Sequence, residues 1–91
     1  DDEDLQVEDL CREVGLSRSQ FHRKLKALTG QSAGEFVRTH RLQRAADLLR
    51  GGYGNVTEVA YAVGFRSLSY FAKSFRQQYG ASPSEYLRRS R

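Results

Sequence analysis

Ninety-one residues with 38% hydrophobic content and a single cysteine suffice for one small domain, or two very small ones with thin cores, and exclude a disulfide framework. The net charge is +4, and it rises to +8 over residues 5–91 once Asp1, Asp2, Glu3 and Asp4 are set aside as an acidic linker or the tail of a preceding segment; such a balance suits a polyanionic partner. No apolar run is long enough to cross a bilayer and no signal peptide is present, so a cytoplasmic setting without membrane contact is expected.

The first element is a one-faced helix carrying Val7, Leu10, Cys11 and Val14 at i, i+3, i+4 and i+7. Cys11 reads as a small buried hydrophobe, and Gly15 stops the helix as a left-handed glycine. Ser17 and Gln20 form a capping box for the next helix. Its apolar stripe is Phe21, Leu25 and Leu28, and Gly30 ends it.

Ser32 with Glu35 opens a long middle helix reaching about Arg50. Its apolar arc of Val37, Leu42, Ala45, Ala46, Leu48 and Leu49 is wide enough for a helix held between two modules. Gly51, Gly52 and Gly54 then break the chain, and Asn55 with Glu58 is a third capping box. Val56, Val59, Ala60 and Val63 supply the following stripe, closed by Gly64. Ser67 caps the next helix, with Phe71 and Phe75 inward and Gly80 at its end. Ser82-Pro83-Ser84-Glu85 starts a short final helix with proline at its first position. No strand candidate occurs. The expected fold is all-α, with seven helices in a tandem, homeodomain-like arrangement. Residues 5–31 form a first helix-turn-helix, 32–50 a linker helix, and 55–91 a second helix-turn-helix with a C-terminal helix. The absence of Met reads as a segment of a longer protein or a processed chain.

The two outer parts repeat one another. Val7, Val14 and Gly15 match Val56, Val63 and Gly64 at an offset of 49, and Ser19, Phe21, Gly30, Ser32, Glu35 and Arg38 match Ser69, Phe71, Gly80, Ser82, Glu85 and Arg88 at an offset of 50. A helix, a glycine turn and a second helix, present twice in a basic chain, suit a reader that grips two successive turns of duplex DNA.

On a helical wheel with Phe21 at 0°, residues Ser19, His22, Arg23 and Lys26 fall at about 100–200°, away from the core. Arg18 and Lys24 flank them, and no acidic residue occurs between Glu13 and Glu35. Arg can bond bidentately to guanine, short Ser lets the helix approach base edges, and cations near helix ends hold phosphates. In the second copy Ser69, Ala72, Lys73 and Arg76 face outward, with Arg66, Ser67 and Leu68 at the turn. That face is less basic, so stronger base readout is expected from the first copy. Arg18, Lys26, Arg66, Ser67 and Arg76 are the expected phosphate contacts.

The segments VEDLCREVGLSRSQFHRKLKALTG, RLQRAADLL and VTEVAYAVGFRSLSYFAKSFRQQYGASPSEY resemble the DNA-binding domain of the AraC/XylS family of bacterial transcription regulators over nearly all of residues 5–89. The resemblance implies two helix-turn-helix subdomains joined by a linker helix, with recognition helices in adjacent major-groove segments. It puts Ser19, His22 and Arg23 at the base-facing sites of the first recognition helix, and Leu68, Ser69, Ala72 and Lys73 at those of the second. Gln6 departs from a Ser-like cap, and Leu68 and Ala72 are apolar at outward positions. The wording around the first copy also resembles output domains of hybrid two-component sensors and response regulators, which implies an upstream sensory or receiver domain. Promoter or operator DNA and RNA polymerase are the implied partners.

Other chemistry finds little support. His22 and His40 have no zinc-type spacing, and Cys11 stands alone, so no metal or cofactor is expected. The Gly51-Gly52-Tyr53-Gly54 run follows a helix, not a strand, and reads as a turn rather than a phosphate loop. No catalytic constellation is visible, so an enzyme is not expected. The alternative to DNA reading is a protein-interaction module that keeps the fold without reading bases. Arg41 falls in or beside the linker's apolar arc, and its expected role is structural, paired with a carboxylate such as Glu58.

Overall fold

The computed structural model describes residues 2–90, with side chains from Gln6 onward. Six α-helices occupy the described residues: α1 (Asp2–Val14), α2 (Arg18–Thr29), α3 (Ala33–Gly51), α4 (Val56–Ala62), α5 (Leu68–Tyr79) and α6 (Pro83–Arg89). The expected count of seven is therefore corrected to six. The connections at residues 15–17, 30–32, 52–55, 63–67 and 80–82 are too short for another helix of normal length. The middle segment runs as a single 19-residue helix, because after Gly34 it holds no glycine or proline before Gly51 to interrupt it. The departure noted at Gln6 lies inside α1, which begins upstream of it.

Capping chemistry sets the boundaries. The Gln20 N–H donates to Ser17 Oγ at 3.2 Å, and the Ser17 N–H donates back to Gln20 Oε1 at 3.0 Å. The same reciprocal pair joins Asn55 and Glu58, at 2.8 and 3.1 Å. Each box satisfies N–H groups that the first turn of a helix leaves without partners. Ser67 accepts from the Tyr70 N–H at 3.2 Å, and Ser82 from the Glu85 N–H at 3.2 Å. Gly30 and Gly80 end α2 and α5 in the left-handed region, each returning its N–H to a carbonyl four residues back at 2.8 Å.

The chain divides into two compact units, Asp1–Thr39 and His40–Arg91, with the boundary inside α3. The first unit buries Val7, Cys11, Ala33 and Val37, with Leu10, Phe21 and Leu25 partly covered. The second buries Leu42, Ala45, Ala46, Leu49, Val59, Ala60, Val63, Phe65, Phe71 and Phe75. Its aromatic rings form a connected series. Phe65 meets Phe71 edge-on at 5.1 Å, Phe71 meets Phe75 at 5.7 Å, and Phe75 touches both Tyr79 (4.7 Å) and Tyr86 (5.3 Å). Large rings bury 150–250 Å² each and dominate core energetics, so the second unit has much the stronger core.

Candidate nucleic-acid interface

In the first unit, α2 holds its half-buried side toward the core through Phe21 and Leu25, and it has no fully buried residue. Ser19, Arg23 and Lys26 are exposed and His22 is half-buried, its ring edge-on to Phe21 at 6.4 Å. The structure brings part of the expected reader together. His22, Arg23 and Lys26 line an open hollow of about 550 Å³ with Ala27 and Ser32. Ala27 and Ser32 were not among the expected site residues. Ala27 lies four residues after Arg23 and continues the outward Ser19-His22-Arg23-Lys26 stripe, so the i, i+3, i+4 pattern contained the signal.

In this unit the two expected phosphate contacts, Arg18 and Lys26, also have structural partners. Arg18 pairs with Glu8 at 3.3 Å, both side chains about half exposed, which ties the start of α2 to α1. Exposed pairs of this kind contribute about 0–1 kcal/mol. The Lys26 ammonium donates to the Gly30 carbonyl at 2.9 Å, so it caps the end of its own helix and faces the hollow from there.

The start of α3 borders the same hollow through Ser32. Hydrogen bonding from the Ser32 side chain, then from its backbone, holds the Glu35 carboxyl below its usual range, helped by the Lys26 and Arg38 charges. Ser32 caps α3 in a reciprocal pair with Glu35: the Glu35 N–H donates to Ser32 Oγ at 3.2 Å, and the Ser32 N–H to Glu35 Oε1 at 3.4 Å.

In the second unit, Phe71 and Phe75 anchor α5 with no exposed surface, and Ser74 is buried beside them on the same face. Leu68 (39% exposed), Ser69 and Lys73 lie outward, and Ala72 is half-buried; Arg66, Ser67 and Arg76 are exposed. Ser67 is occupied as the cap of α5. Arg41 is buried, at 6% exposure, and lies against Gly64. Glu58 is exposed and serves the α4 capping box. Among the described residues, no cluster of three or more His, Cys, Asp or Glu could hold a metal ion, and no helix is long and apolar enough to cross a membrane.

Comparison with known proteins agrees with this helical architecture. A family model described as a helix-turn-helix domain matches residues 10–89. Histidine kinase P4 of Formosa agariphila is 40% identical over 78 residues, which is 86% of this chain and 6% of that protein. The HTH-type transcriptional regulator MtrA of Neisseria gonorrhoeae is 39% identical over 80 residues, 88% of this chain and 27% of that protein. The chain thus spans a minor part of these two relatives. The crystal structure of a probable AraC family transcriptional regulator from Rhodopseudomonas palustris superposes with a TM-score of 0.80 at 34% identity, covering 93% of this chain and 81% of that one. With its family match over residues 10–89 and this solved relative covered over most of its length, the chain belongs to the helix-turn-helix domain family and is related to the AraC-type transcription regulators.

Proposed function

We propose that the chain is the DNA-binding output domain of a transcription regulator, reading duplex DNA with α2 and α5 in adjacent major-groove segments. The observation that carries this reading is the outward stripe of α2. Ser19, His22, Arg23 and Lys26 present hydroxyl, imidazole, guanidinium and ammonium groups along one helix face, with an open hollow beside the last three. A groove-entering helix needs short polar groups near its start for base edges and cations for phosphates. The second helix repeats the geometry with Leu68, Ser69, Ala72 and Lys73, where an apolar Ala72 suits a thymine methyl. Arg18, Arg66, Ser67 and Arg76 stand at positions suited to phosphate contact.

The domain is not an enzyme; MtrA and the R. palustris protein are named as transcription regulators. The kinase relative, of which this chain spans 6%, supports a larger protein in which a sensory or receiver segment controls the reader. RNA polymerase is the further partner such an output domain would engage.

The test is a salt titration on a selected duplex and on a scrambled one. A reader loses affinity steeply with rising salt, because phosphate contacts release counterions, yet keeps its sequence preference. Absence of salt-dependent binding at low ionic strength would overturn the proposal.

A further inference from the structure

The two glycine turns of the repeat close with the same pair of backbone hydrogen bonds but differ in what lies against the glycine. Gly15 and Gly64 occupy matching places, and both have positive φ, 72° and 104°. Around Gly15, a Cβ would meet nothing within 4 Å. At Gly64 the same atom would stand 3.2 Å from Arg41 Cζ, 3.2 Å from Nε and 3.4 Å from Nη2. Three atoms of one guanidinium at nearly equal distance describe a plane laid flat against the glycine. The turn can approach this closely only because Gly64 has no side chain.

Arg41 is held there firmly. It is 6% exposed, it is partnered, and no buried side-chain N or O among the described residues lacks a hydrogen-bond partner. The turn above it is equally constrained. The Gly64 N–H donates to the Tyr61 carbonyl at 3.1 Å and the Phe65 N–H to the Ala60 carbonyl at 3.0 Å, the closing pattern of a helix that ends on a left-handed residue. Phe65 is then buried at 4% exposure and packs edge-on against Phe71 of α5. From Arg41 the physical contacts run to Gly64, through the chain to Phe65, and on to Phe71. Phe71 lies on the inner side of the helix whose outer side carries Leu68, Ser69, Ala72 and Lys73.

We infer that Arg41 is a positioning residue for DNA reading: its guanidinium seats the Gly64 turn and thereby sets the angle at which α5 presents its outward side chains. This rests on the DNA-reading proposal above. The first copy has no such seat under Gly15, and its following residue Leu16 is only half-buried. Reader two is therefore pre-organised by a contact beneath its turn that reader one lacks. Pre-organisation favours specificity because a fixed helix face cannot re-pack around a wrong base. A planar group is required at Arg41, since an ammonium on a flexible stem cannot offer a flat face.

The experiment selects sites from a random duplex pool with the wild-type chain, Arg41→Lys, Arg41→Gln, Gly64→Ala and Gly15→Ala, and records amide spectra of each folded variant. Arg41→Lys is expected to keep the salt slope but to flatten base preference in the half-site read by α5 about fivefold or more. The other half-site keeps its preference, and the Leu68–Lys73 amides shift without DNA. Gly64→Ala reproduces this pattern and Gly15→Ala does not. A folded Arg41→Lys or Arg41→Gln with unchanged preference in both half-sites and unmoved α5 amides overturns the inference. Loss of the folded second unit in both Arg41 variants assigns Arg41 to folding alone and overturns it as well. If the wild-type chain binds no duplex, the DNA-reading proposal fails by itself, and the α5 amide shifts still decide whether Arg41 sets the helix.

Discussion

Phe21 and Phe71 hold the same place in the two copies, yet Phe71 is fully buried while Phe21 is only half-covered. The difference extends to their whole units. Among the described residues, Phe71 joins a ten-residue core with a series of rings, whereas Phe21 leans on a core of four, two of them Ala33 and Cys11. Truncating a buried phenylalanine costs about 3–5 kcal/mol. Phe71→Ala is therefore expected to unfold the second unit near room temperature, and Phe21→Ala to have a smaller effect confined to the first. Urea melts followed by residue-resolved amide signals check this; equal losses in the two variants would contradict the asymmetry.

The single cysteine reports on the weaker unit directly. Cys11 lies in the first core at 5% exposure and borders an open hollow with Glu8, Arg12, Leu16 and Arg18, so a thiol reagent too bulky for that hollow reaches it only when the unit opens. Units with few buried contacts open below the global unfolding free energy. Cys11 is expected to react under native conditions while the amides of α5 stay protected from exchange. Labelling followed by mass spectrometry measures both, and specific duplex should slow the reaction by mass action. Labelling no faster than global unfolding would show that the two cores melt together.

Gly15 and Gly64 separate backbone strain from packing. Alanine at a left-handed site costs roughly 1–2 kcal/mol, and with open space around Gly15 that is the whole penalty expected for Gly15→Ala. Gly64→Ala meets the Arg41 guanidinium at 3.2 Å in addition, and forced overpacking costs a further 1–3 kcal/mol or so. Chemical denaturation of the two variants should therefore differ by at least the smaller of these packing figures.

Much of this arrangement could be read along the chain. The residues that cap helices act within three or four positions, so Ser17 with Gln20, Asn55 with Glu58 and Ser82 with Glu85 announced their boundaries locally. The inward placement of Phe71 and Phe75 followed from the wheel for the same reason. The wheel failed at Leu28, which shares an angle with Phe21 but is 82% exposed. An angle says which side of a helix a residue is on, not whether the neighbouring surface extends that far along the axis. Val14 at the end of α1, 56% exposed, fails in the same way. Ser32 could be read as a cap, but its place in the hollow with Arg23 and Lys26 depends on how the chain returns after Gly30. The seat of Gly64 on Arg41, 23 positions earlier in the sequence, is a tertiary contact with no local signature.

Glu35 predicts an acid dependence. Its carboxyl is held below the usual value near 4.5, chiefly by the Ser32 hydrogen bonds. A carboxyl with a lowered folded-state pKa contributes stability that is present above the unfolded value and lost as pH falls through the folded one. The first unit is expected to weaken as pH drops below about 4.5, with fraying at the start of α3. Glu35→Gln should flatten that slope when unfolding is followed at several acidic pH values. Parallel slopes for wild type and variant would remove Glu35 as the cause.

Arg23 and Lys26 divide base reading from phosphate holding. Both face the hollow beside α2, but only Lys26 is also tied to its own helix, through the Gly30 carbonyl. Arg23→Ala is expected to cost about 1–3 kcal/mol on the best duplex and to relax preference at one base pair. Lys26→Ala should weaken binding nearly equally on every sequence and lower the salt slope by about one. It should also loosen the last turn of α2, since the cap is lost with the amine. Affinities on matched and mismatched duplexes at several salt concentrations separate the two residues. A uniform loss in Arg23→Ala, or a base-specific one in Lys26→Ala, would exchange their roles and move the base-reading centre of α2 toward Ala27 and Ser32.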